Sequence, residues 1–264
     1  MMHHRRFAVS LLATIFLCLC SRGETVRVRA REGTVHGFLT LRDENGKRLA
    51  TGDLIQTVNG DVVTARLVFR FRDGSVDDEE SDFRQNGIFR LLHDHHVQKG
   101  PAFPHPMDVV IDAVKQEVTE RSKQDGKVLT ATKHVDIPED LANGLPLILV
   151  KNIPSTATLT KVPYLAATPE LRMVHLAITP DGSETFSIGS SKYKASIYRF
   201  HVELGGIAGV LAPLMGKEPK DDRVWVVGGE APSFVRAQVA FYVGGPLWTI
   251  DLTSPVLPDQ PSAR

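Results

Sequence analysis

Tight-turn dipeptides recur along this chain, and between them the side chains alternate in polarity. The turn pairs are Asn45-Gly46, Asn59-Gly60, Asp73-Gly74, Asn86-Gly87, Asp125-Gly126 and Asp181-Gly182. Asn-Gly and Asp-Gly supply the positive φ angles that two-residue hairpin turns demand. A period of two places successive side chains on opposite faces of a strand. Leu67, Phe69 and Phe71 thus share one face, and Arg66 and Arg70 the other, with Arg72 following on. Tyr198, Phe200, Val202 and Leu204 stand opposite Arg199, His201 and Glu203, and Trp248, Ile250 and Leu252 repeat the pattern. One apolar and one polar face per strand marks an antiparallel sheet covered on one side. No rhythm of strand and long helix is visible. The pattern predicts a mainly β protein: a curved antiparallel meander, half-barrel or open barrel, with one or two short helices on its concave side.

Two segments read as helical. Residues 137–150 carry Pro138, Glu139 and Asp140, which suit a first turn, while Gly144 and Pro146 interrupt the run and limit it to one or two turns. Residues 205–215 are almost wholly apolar, with Ile207, Val210, Leu211, Leu214 and Met215 at helical spacing. They are too few to span a bilayer, which takes about 20 residues. The expected place for them is the inner face of the sheet, beside Phe69, Phe71, Phe200 and Trp248.

The amino end opens Met1-Met2-His3-His4-Arg5-Arg6, followed by an apolar run from Phe7 to Cys20 broken only by Ser10 and Thr14. A basic start, a short apolar core and small residues beyond it predict a secretory signal over residues 1–23. Cys18 and Cys20 permit cleavage before Ser21, and Ser21 and Gly23 permit it before Glu24. A retained anchor is the other reading of this segment, with a run short for a span. Cys18 follows Leu17 and Cys20 follows Leu19, which argues against a lipid-modified cysteine. Either cut removes both cysteines in the sequence. The mature chain would then have no disulfide, thiol nucleophile or thiolate ligand, and about 240 residues bury a core without them. A single domain is expected over 24–253. The tail 254–264, with Pro255, Pro258 and Pro261, is expected to be disordered. Lys plus Arg and Asp plus Glu both total 31, which argues against a nucleic-acid binder.

Few residues point to chemistry. His93, His95 and His96 flank Asp94, with His105 beyond a Pro-rich loop. On a strand His93 and His95 share one face, Asp94 and His96 the other. Two imidazoles and a third from the loop are a possible zinc set, but the spacing matches no known motif, and a polar strand end explains it equally. The acidic run Asp77, Asp78, Glu79, Glu80 and Asp82 lacks the pattern of a calcium loop. It reads as a solvated strand whose charges protect an edge and pair with Arg66, Arg70 and Arg72. Gly205, Gly206 and Gly209 fit no phosphate-binding pattern, and Ser190 fits no Gly-x-Ser-x-Gly. Trp225, on a strand apolar on both faces, reads as a core residue. No catalytic residue, metal or cofactor is predicted.

The signal-like start, the hairpins, the apolar segment 205–215 and the closing hairpin 231–252, ending Gly244-Gly245-Pro246-Leu247-Trp248, resemble exported bacterial β-rich proteins of unknown function of the DUF3108-type group. Their architecture is similar to the half-barrel of lipoprotein carriers. The resemblance implies a curved sheet sheltering an apolar cavity closed by short helices, and it implies no catalytic residue. The leading expectation is a periplasmic or extracellular, non-catalytic protein that binds a lipid or other apolar molecule. Phe69, Phe71, Phe200, Leu211, Met215 and Trp248 are its candidate ligand-binding residues. Two alternatives are a scaffold domain whose core is fully plugged and a metal-dependent hydrolase built on His93, His95 and His105.

Overall fold

The computed structural model describes residues 25–124, 127–154, 156–167, 171–188, 191–204 and 219–253. The chain first lays down β1 (Val35–Arg42), β2 (Arg48–Asn59), β3 (Val62–Phe71), β4 (Val76–Asn86), β5 (Ile88–Lys99), β6 (Met107–Asp112), β7 (Glu117–Gln124) and β8 (Lys127–His134). It then turns through the helix α1 (Pro146–Leu149) and a 3-10 turn at Val150–Asn152. It finishes with β9 (Thr160–Ala166), β10 (Arg172–Ile188), β11 (Ser191–Glu203), β12 (Asp222–Val227), β13 (Ser233–Ala240) and β14 (Leu247–Thr253). All belong to one 14-stranded antiparallel sheet in the order β8-β7-β6-β5-β4-β3-β2-β1-β14-β13-β12-β11-β10-β9. The expected β meander is therefore present, as two runs of hairpins joined by the pairing of β1 with β14, Leu39 opposite Leu252.

Four of the turn dipeptides reverse the chain between strands, with φ of 78°, 65°, 87° and 74° at Gly46, Gly60, Gly74 and Gly87. Asp181-Gly182 does not. Gly182 has φ 103°, yet it lies inside β10, where the register with β11 shifts between Pro180 and Ser183. There the extra backbone forms a bulge rather than a reversal. Asp125-Gly126 lies outside the described residues, between strands that pair up to Gln124 and Lys127.

The sheet curls on itself. Gln98 of β5 donates from its side chain to the Phe241 carbonyl, just past β13, at 2.8 Å, although β5 and β13 are six places apart in the sheet. One core cluster joins Val63 and Phe69 of β3, Phe83 of β4, Ile111 of β6, Leu165 of β9, Phe200 of β11 and Ile250 of β14. Curling removes apolar surface from water without a second sheet.

The concave side holds residues 137–153. Leu141, Leu145, Leu149, Val150 and Ile153 are all buried there, each side chain contributing about 1.5–3 kcal/mol on removal from water. A short helix does occur in the expected segment, but it starts later than Pro138. Pro146 opens α1 instead of interrupting it, because proline at the first helical position forfeits no intrahelical bond. Segment 205–215, expected in this place with Leu211 and Met215, lies outside the described residues.

Trp225 belongs to a second cluster on the opposite face, with Tyr193, Ala195, Val227 and Val235, and donates to Glu184 at 2.7 Å. Strand β12 is thus buried on both faces, as its apolar run suggests. The cover beside Trp225 comes from neighbouring strands.

Candidate functional site

The period-two rule sends half of the acidic run inward. Asp77, Glu79 and Ser81 share a face of β4 with the buried Phe83 and Gln85. Asp78, Glu80 and Asp82 face outward. The reading of the whole run as solvated edge charge is therefore corrected: only its outward half behaves so, and β4 is flanked by β3 and β5 rather than lying at an edge. On that outer face Arg66 donates to Asp78 from Nε and Nη2, at 2.8 and 2.6 Å. The pair is part-exposed and worth about 0.2–1 kcal/mol. Arg70 reaches back to Asp53 of β2 at 3.0 Å, not to the acidic run.

Strand β5 brings the histidine segment alongside. Its register with β4 shifts between Asp82 and Phe83, so the inward residues change from Phe89 and Leu91 to Asp94, His96 and Gln98. His93 and His95 face outward. His95 Nε2 meets Asp108 at 2.9 Å, and His105 is exposed in the loop before β6. Among the described residues no group of three or more His, Cys, Asp or Glu side chains is placed to hold a metal.

The inward half forms a network. His96 Nε2 lies 2.9 Å from Asp77 Oδ1, which also accepts from Gln98 at 2.8 Å. His96 Nδ1 is 3.8 Å from Glu79. Ser81 donates to Asp94 at 2.6 Å. Burial pushes the Asp94 carboxyl up to about 7, helped by the Glu79 charge and opposed by the Ser81 hydroxyl. Burial also raises Glu79, against the pull of His96 and the Gly144 amide. Burial disfavours charge on His96, but Glu79, Asp77 and Asp94 outweigh it and lift the imidazole to about 9.

Asp77, Glu79, Ser81, His96 and Gln98 open onto a cavity of about 240 Å³. Its polar wall includes Gln56, Asp77, Glu79, His96, Tyr164 and Asp222. Its apolar wall draws on Leu54 and Leu67 from one half of the sheet, Phe200, Val224 and Ile250 from the other, and Leu147 from α1. Asp222 accepts from the Ala240 amide at 2.9 Å, and burial raises its carboxyl to about 7. Tyr164 is pushed well above the usual phenol range by burial, then by Glu79, Asp94, Asp222 and Asp77, so it stays a hydroxyl donor. A second cleft, of about 630 Å³, lies between Val26, Arg29, Ile88 and Pro154. Its Asn152 side-chain oxygen is already taken by the Arg29 and Ala30 amides, both at 2.8 Å.

Of the residues singled out in the sequence, Phe200 lines the first cavity. Phe69, Phe71 and Trp248 instead pack against Phe241, with ring centroids 5.5, 6.5 and 5.2 Å away. They thus support one lining residue from behind. Leu211 and Met215 fall outside the described residues. Sequence reasoning misses Gln56, Glu79, His96, Tyr164 and Asp222 as a lining. The signal that could have found part of it is that Asp77 and Glu79 have the parity of Phe83.

No family model and no curated protein matches the chain. Among solved structures it is similar to a beta-barrel-like protein of the domain of unknown function DUF1849 from Brucella abortus, at 13% identity and a TM-score of 0.43, over 87% of this chain and 100% of the other. The likeness is to a β-rich, barrel-like protein of unknown function, and not to the DUF3108-type group in particular. No helix among the described residues is long and apolar enough to cross a membrane.

Proposed function

We propose that this is an exported envelope protein that binds a small apolar ligand, such as an acyl chain, inside its curled sheet without catalysing a reaction. The observation that carries the reading is the cavity of about 240 Å³ that segment 137–153 leaves open. It approaches the lower end of ligand sites, about 300–1,000 Å³, which combine apolar walls with a few polar groups. A scaffold with a fully plugged core would leave no such volume. A hydrolase built on His93, His95 and His105 would need them to converge, and the first two face away from the cavity.

A neutral probe, N-phenyl-1-naphthylamine, is expected to gain fluorescence saturably on mixing with the protein. Leu147→Trp, which fills the cavity from α1, should weaken that binding about tenfold or more. Wild-type protein that gives no enhancement would sink the reading. Export rests on the basic, apolar and small residues of 1–23. Protein purified from the envelope of its own cell is expected to begin at Ser21 or Glu24, as amino-terminal sequencing would read. A chain that still carries Cys18 and Cys20 would refute cleavage there.

A further inference from the structure

The cavity is charged unevenly, and its charge specifies more than an apolar guest. Three carboxylates line it, Asp77, Glu79 and Asp222, against two basic groups, His96 and Lys151. Lys151 is already held by Glu32 at 2.7 Å, and the nearest partner of His96 is Asp77 at 2.9 Å. Glu79 has the Gly144 amide and His96 Nδ1, the latter at 3.8 Å. Asp222 is left with one backbone amide on Oδ1. Among the described residues Asp222 has no ion pair, and the one cation beside Glu79, His96, is shared with Asp77.

A separate observation points the same way. Gln56 is only 3% exposed and lines the same cavity. Among the described residues its side-chain amide has no hydrogen-bond partner, and neither has the Tyr164 hydroxyl. Neither group is sealed away from the cavity that both line, so each can hydrogen-bond a guest there.

We infer that the cavity of the proposed function takes a small amphipathic amine, its ammonium head against Gln56, Glu79 and Asp222 and its hydrocarbon body against Leu54, Leu67 and Phe200. An ammonium has three donors and no acceptor, which suits one amide oxygen and two carboxylates. A carboxylate head would meet like charge on the same wall. At about 30 Å³ for each water-sized group, the cavity holds roughly eight such groups, the size of an eight-carbon chain. Burial raises the Glu79 and Asp222 carboxyls, and an ammonium head beside them would favour their charged forms.

The inference rests on the apolar-ligand reading, and one experiment separates their failures. Octylamine, 1-octanol and octanoate are titrated by calorimetry into the full chain near neutral pH. The expected order is octylamine, then octanol, then octanoate, with the amine at least about tenfold tighter than the alcohol. In Glu79→Gln/Asp222→Asn, checked for folding by circular dichroism, the amine should fall to the level of the alcohol while octanol is unchanged. Octanol binding as tightly as octylamine to the wild type overturns the amine and leaves the apolar pocket standing. Octanoate binding tightest does the same. No heat from any of the three overturns both.

Discussion

Gly144→Ala is expected to cost about 2–5 kcal/mol, among the larger losses that a single methyl group can cause. Gly144 has φ +67°, a conformation that costs other residues about 1–2 kcal/mol. An added Cβ would also overlap Ser81 Oγ and come within 2.7 Å of Asp94 Oδ1. Both neighbours are buried and hydrogen-bonded to each other, so neither yields freely, and overpacking of this kind adds about 1–3 kcal/mol. Gly46→Ala provides the comparison: Gly46 has φ +78° but nothing within 4 Å, so it carries the backbone cost alone. Urea unfolding of both variants measures the difference. Equal losses would mean that the close approach of 137–153 to β4 and β5 is not tight.

Stability is expected to fall steadily from about pH 5 to pH 9. Asp94 and Asp222 have carboxyls raised to about 7 from 3.8. Between those limits the folded chain holds protons that the unfolded chain has released. Their contribution is complete below about pH 4 and is lost as pH rises through 7. His96, raised from 6.5 to about 9, follows on: its contribution is complete below 6.5 and is lost as pH rises through 9. Glu79, also raised, adds in the same sense. A pKa displaced by one pH unit on folding is worth about 1.4 kcal/mol, and for a chain of this size each kcal/mol is about 2–4 °C in melting temperature. Exposed carboxylates held low, such as Asp53 and Asp112, oppose this only below about pH 4. Calorimetric melting across the range should show a decline of several degrees. His96→Gln should flatten its alkaline half and Asp94→Asn its acidic half. A wild-type melting temperature that does not change between pH 5 and 9 would show that the inner network is solvated like a surface.

The strands are readable in the sequence because their causes are local. Asn-Gly turns and period-two alternation set β2, β3 and the β4–β5 hairpin without reference to distant residues. The site is readable only in part, for three identifiable reasons. Charge in a sequence signals solvent, so Asp77 and Glu79 read as outward although they share the parity of Phe83. The bulge in the β4–β5 pairing shifts the inward positions from Phe89 and Leu91 to Asp94, His96 and Gln98, a change that alternation cannot show. Asn143-Gly144 follows no alternating segment and so does not stand out as a turn. Its glycine is required by the approach of Ser81 and Asp94, contacts that appear only once residues far apart in sequence are brought together.

The pairing of β1 with β14 sets an order on folding. Of the thirteen strand pairings among the described residues, it is the one that does not join neighbours in the chain. Phe38 meets Thr253, so the loop it closes is nearly the whole length of the domain. Most pairings within the two hairpin runs close through short loops, the long connection from Glu203 to Asp222 excepted, whereas this junction carries a closure entropy that grows with the logarithm of loop length and gains its contacts late. Until β14 arrives, β1 presents a bare strand edge in what will become the middle of the sheet, a place natural sheets seldom leave open. A chain emerging amino end first therefore keeps an unsealed seam until its final strand is delivered, and Leu247–Thr253 acts as the zipper's last tooth.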